Sequence, residues 1–161
     1  MEDKLAQKAR EWLGLELGDS FLSEGEYCSS RDIFQARLDK MRTVFESAAN
    51  EEMDLIYLLI AVIGEIGNNS FDHNLGQWRD IGGIFFNFDQ SEKIVVLADR
   101  GQGFYSSMKK AISDIPNDLE AIKIAFTKQI SGRQPERRGN GLKFVANIAQ
   151  QTNIEVFLQS G

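Results

Sequence analysis

The sequence predicts an α+β fold, built as a two-layer sandwich of helices on a sheet. Three observations lead there. Residues 31–69 carry apolar side chains at helical spacing; "IFFNF" and "KIVVLA" flank the polar turn "DQSE"; and further helical and β-rich stretches follow, separated by glycine-rich loops.

The elements are read in order. "EWLGLELG" begins with a short helix, and "GDSFLSEGEYCSS" reads as loop. Ser29 or Ser30 caps a helix from about Arg31 to Ala49, with Ile33, Phe34, Leu38, Met41, Val44 and Phe45 on its apolar side. A second helix runs from near Asn50 through Asn69. Strands are expected over Ile84–Phe88 and Lys93–Ala98, joined as a hairpin. A short helix follows around Tyr105–Ile112, and another opens at Asn117, with Glu120 at capping-box spacing. "SGRQPERRGNG" is a basic glycine-rich loop, "LKFVANIAQQ" a helix and "NIEVFLQ" a final strand.

Composition narrows the function. The 161 residues suit one domain with its own core. Eighteen Lys and Arg against 24 Asp and Glu leave a formal charge of −6, which argues against a nucleic-acid ligand. A small anion stays open, because backbone N–H groups and a metal can meet its charge. The single Cys28 permits no internal disulfide and reads as a structural thiol. The charged opening "MEDKLAQKAR" lacks a signal peptide's apolar stretch, and the apolar run "LIYLLIAVI" is about half a membrane span. No membrane partner and a cytoplasmic location are the expectations.

The apolar run ends in "GEIGNNSFDHN". At 100° per residue, Glu65, Asn69 and His73 share one helix face with Leu55, Leu58 and Val62. A stripe that is core in the first turns therefore becomes acidic, amidic and basic in the last. Such groups need partners, since burying them unpaired costs on the order of a few kcal/mol. "DRGQG" follows a strand, with Asp99 at its end and Gly101 and Gly103 removing side chains from the turn. "RGNGL" precedes an amphipathic helix, whose free N–H groups and dipole suit phosphate oxygens. Each glycine motif alone is a common loop; their order and spacing carry the weight.

An E-x-x-x-N on a helix, then D-x-G-x-G after a strand, then G-x-G opening a helix, resembles the GHKL superfamily of ATP-binding domains. These include gyrase B subunits, the large heat-shock chaperone, sensor histidine kinases and the mismatch-repair protein MutL. The N-box is "EIGNNSFDH" and the glycine boxes are "DRGQG" and "RGNGL". The resemblance spans about residues 50–161 and implies the Bergerat fold, a mixed sheet covered on one face by helices. The implied organisation is an N-terminal extension over 1–34 and an ATP-binding domain over 35–161, lacking the strand that usually follows "NIEVFLQ".

The resemblance also implies roles. Asp99 accepts from the exocyclic amine of adenine, Gly101 and Gly103 admit the base, and Asn69 holds magnesium through its amide oxygen. Arg138, Gly139, Asn140, Gly141 and Leu142 border the phosphates, with His73 on the N-box. Glu65 is the general base for water or an acceptor hydroxyl. Arg133, Arg137 and Lys143 are further cations within reach of the γ-phosphate, and about 104–138 forms a lid that closes on ATP.

The only histidine lies in the N-box, which disfavours a complete sensor histidine kinase, and no transducer domain of the gyrase or MutL kind is expected. Three readings stay open: a small kinase of the anti-sigma-factor kind acting on a protein partner, an ATPase switch gripping such a partner, and a non-catalytic nucleotide-binding or interaction module. There is no Walker-A motif and no G-x-G-x-x-G leading from a strand into a helix.

Overall fold

The computed structural model describes residues 3–48, 53–110, 112–127 and 141–160. The fold is α+β. In chain order it comprises α1 (Lys4–Leu13), β1 (Tyr27–Cys28), α2 (Arg31–Ala48), α3 (Met53–Asn74), β2 (Ile84–Asp89), β3 (Ile94–Asp99), α4 (Gly103–Lys109), α5 (Asp118–Thr127) and α6 (Gly141–Gln151). Among these residues no helix is long and apolar enough to cross a membrane.

Local chemistry explains most boundaries. Asp3 opens α1 by accepting from the backbone N–H groups of Leu5 and Ala6 at 2.8 and 3.1 Å. Ser30 Oγ accepts from the Ile33 N–H at the start of α2, and Asn117 Oδ1 accepts from the Glu120 N–H at 2.9 Å to start α5. The β2–β3 turn is held by Asp89, whose Oδ1 accepts from the backbone N–H of Ser91 and Glu92. α1 begins seven residues ahead of the helix expected at "EWLGLELG", because that N-cap lies upstream of the apolar pattern. α3 continues five residues beyond Asn69, so "SFDHN" is helical.

The three strands form an antiparallel sheet in the order β1-β2-β3, with Ile84 opposite Asp99 and Asp89 opposite Ile94. Alternation along β2 sorts its side chains to two faces. Ile84 and Phe86 pack with Phe34, Leu38, Met41 and Ile63 of α2 and α3, whereas Phe85 packs with Ala9 and Trp12 of α1. The expected mixed sheet, covered on one face, is thus an antiparallel sheet among the described residues with helices on both faces. β1, too short to show a period, was expected to be loop, and the first thirty residues supply both β1 and the second helical layer.

α2 and α3 pack closely at Gly67, where a Cβ would overlap the Phe34 ring. α6 lies antiparallel against α3, Val145 and Ile148 meeting Val62, with Leu58 and Ile66 beside them. The expected final strand forms no ladder and is not part of the sheet. Over 153–160, exposure alternates residue by residue; Ile154 and Val156 turn onto the α3–α6 cluster, and Phe157 faces outward at 91% exposure. The alternation is met by packing on helices rather than by a ladder to β3.

Candidate functional site

β3 is an edge of the sheet, and an open depression of about 2350 Å³ spreads from it across parts of α1, α3 and α6 to the 153–160 segment. Compact ligand pockets hold roughly 300–1,000 Å³, so the groove is a trough and its size alone identifies no ligand. The side chains it collects are more informative. Glu65, Asn69, His73, Asp99, Gly101, Gly103, Gly141 and Leu142, all expected from the sequence, line it. Arg138, Gly139 and Asn140, with Arg133, Arg137 and most of the expected lid tip, lie outside the described residues.

α3 brings the polar groups to the groove. Its α6-facing stripe is apolar at Leu58 and Val62; one turn later the same face reaches the first residue of α6, and there stands Glu65. A Cβ at Gly141 would fall on the Glu65 carboxylate, so the helix N-terminus and the acid are in direct apposition. The positive end of the helix dipole favours a carboxylate there, as it would a phosphate. Asn69 Nδ2 donates to Glu65 Oε1 at 3.3 Å, which leaves the amide oxygen as the atom offered to a cation. His73 is exposed on the next turn, its Nδ1 3.5 Å from Ser107 Oγ of α4.

The far end of the groove is built by the turn after β3. Asp99 Oδ1 accepts from the Gly101 N–H at 2.9 Å, closing a short side-chain turn. Gly103 adopts φ 72°, in the left-handed region that a β-carbon resists, and starts α4. The Phe104 N–H donates to Ser160 Oγ at 3.0 Å, tying this turn to the 153–160 segment. Lys110 Nζ donates to Gln77 Oε1 and Gln102 Oε1 at 3.0 and 2.9 Å and places a cation at the rim.

Two residues here were not singled out from the sequence. Asn74, the last residue of α3, is 4% exposed and bonds to Asp99. Its position directly after His73 was a signal, but one that counted only once the helix was known to continue past Asn69. Arg100 is 3% exposed, and its guanidinium bonds on the α1 side of the sheet. Its Nη2 bonds to Asp80 Oδ2 at 2.6 Å, and the guanidinium donates to the backbone carbonyls of Leu15, Glu16 and Asp19 at 2.8–3.1 Å. Burial pushes the Asp80 carboxyl up, but the Gly18 N–H and the Arg100 charge outweigh it and hold the group below the ordinary aspartate range.

Among the described residues no cluster of three His, Cys, Asp or Glu side chains could hold a metal. The donor set does fit magnesium carried in with phosphates: a hard cation that keeps several waters and needs one or two protein oxygens, here the Asn69 amide. Comparison with protein-family models, with curated proteins and with solved structures returned no match.

Proposed function

We propose that this chain is an ATP-binding domain of GHKL type, magnesium-dependent, acting on a protein partner as a small kinase or as an ATPase switch. One observation carries the reading. The Glu65 carboxylate stands at the first residue of α6 and bonds to Asn69, and their own helix, α3, ends on Asp99 through Asn74. Glu65 and Asn74 are nine residues apart on one helix, about 13.5 Å along its axis. That separation suits a nucleotide lying along α3, its purine at Asp99 and its phosphates at the start of α6.

In this reading the Asp99 carboxylate accepts from the exocyclic amine of adenine, a donor that guanine lacks at that edge. The N-terminus of α6 receives phosphate oxygens, and Asn69 supplies an oxygen to magnesium, which neutralises phosphate charge. Glu65 lies beside both and takes the proton from the attacking water or hydroxyl. The antiparallel sheet with α2 and α3 on one face is compatible with a Bergerat sandwich, of which α1 would be an added layer.

Calorimetry with ATP and magnesium tests the reading. Binding is expected in the wild type and in Glu65→Ala, and its loss in Asp99→Asn. Turnover, as phosphate released or phosphate moved to a partner protein, should fall about a hundredfold or more in Glu65→Ala. Binding without turnover in either assay would favour the non-catalytic module. No binding at all would remove the nucleotide.

A further inference from the structure

We infer that Asn74 is the positioning residue of the base-reading carboxylate, fixing which oxygen of Asp99 faces the ligand; this rests on the nucleotide reading above. The side chain is buried at the end of α3. Its Nδ2 donates to Asp99 Oδ1 at 3.0 Å, and its Oδ1 accepts from the Gln102 N–H at 3.0 Å. Only one orientation of the amide satisfies both partners, since the carboxylate must accept and the backbone N–H must donate. Asp99 Oδ1, already bonded to the Gly101 N–H, thereby receives two donors. Oδ2 bonds to none of the described residues and is left as the acceptor for a ligand amine.

The chemistry selects asparagine. A second carboxylate at this place would repel Asp99, a hydroxyl is too short to span both partners, and an apolar side chain would leave a buried N–H and the carboxylate half-satisfied. Gly101 belongs to the same unit, because its missing Cβ is the space that the Asn74 amide fills. Asn74 also joins the two ends of the groove mechanically. The helix that carries Glu65 and Asn69 ends by gripping the turn that carries Asp99, so base and phosphate sites keep a set distance.

The test uses the full chain, with ATP and inosine triphosphate, whose base lacks the exocyclic amine. Wild type should prefer ATP. Asn74→Ala should weaken ATP binding about tenfold, the value of one well-placed hydrogen bond, while leaving inosine triphosphate nearly unchanged. Asn74→Asp adds a reading that mere structural damage does not produce. Two carboxylates about 3 Å apart share a proton, so ATP affinity should recover on acidification and fall toward pH 8, relative to wild type. Reading the difference from wild type removes whatever pH response His73, Lys110, Glu65 and the nucleotide contribute to both proteins. Gly101→Ala dislodges the amide without changing it and should reduce the same preference, should Asn74→Ala fail to fold. Unaltered selectivity in folded variants, or an Asn74→Asp pH profile parallel to wild type, overturns the inference alone. Wild type that binds neither nucleotide overturns the nucleotide reading and the inference with it.

Discussion

Asp99 and Arg100 are neighbours in the chain and opposites in the fold. Arg100 turns to the α1 face, where its side chain is 1% exposed, Asp80 supplies the countercharge, three carbonyls accept its N–H groups, and the Trp12 ring stacks 5.8 Å away. Asp99 turns to the groove, where one oxygen is held by a neutral amide and a backbone N–H and the other is left open. A charge paired inside the molecule, with only its Nε left buried and without a partner, ties the fold together. A charge held at one atom and open at the other is arranged to meet something else. Where each side chain is paired, toward α1 for Arg100 and toward the end of α3 for Asp99, separates the two neighbours.

That contrast can be broken most forcefully at Arg100. Arg100→Met should cost about 3–5 kcal/mol, because Asp80 is left as an uncompensated buried charge. Urea unfolding checks this; a change below about 1 kcal/mol would mean that the pair is not what ties α1 to the sheet. A smaller effect is expected at Asp80. Its carboxyl titrates lower in the folded chain than in the unfolded one, so in acid the unfolded chain binds more protons and stability rises with pH. The contribution is complete above the ordinary aspartate range and is lost as pH falls through the depressed folded value. Asp80→Asn should start about 1–3 kcal/mol less stable and show a shallower acid limb when unfolding is followed from pH 6 to pH 2. The smallest effect on stability belongs to Asp99→Asn, within about 1 kcal/mol of wild type, since the amide can still accept from Asn74 and Gly101. The same variant should lose ATP. Large destabilisation with nucleotide binding retained would reverse the assignment of the two neighbours.

Much of this was legible in the residues themselves. The α2 start at Ser30, the α5 cap at Asn117 and the β2–β3 hairpin follow from local chemistry, in which donor and acceptor lie within four residues of each other. The Glu65–Asn69–His73 face was readable from helical geometry, and the structure places it on the groove. What was not readable depends on distant partners. The Asn74–Asp99 bond joins residues 25 apart, and Arg100 bonds to carbonyls more than eighty residues away. A glycine such as Gly101 announces that something comes close, but not what, and here the occupant is the Asn74 amide. "NIEVFLQ" has a strand's alternation because every second residue is partly covered, and alternation alone does not say whether a helix or a strand does the covering.

The sequence by itself determined where α2 and α5 begin, where the chain reverses between β2 and β3, and which polar groups interrupt an apolar helix face, because periodicity and capping act over one or two turns. Tertiary structure alone decided that α1 covers the second face of the sheet, that Arg100 is sealed beneath it, and that Asn74 grips Asp99. These arrangements arise when separate elements bury their apolar faces together, and the polar groups caught between them must then find partners wherever the packing has brought them.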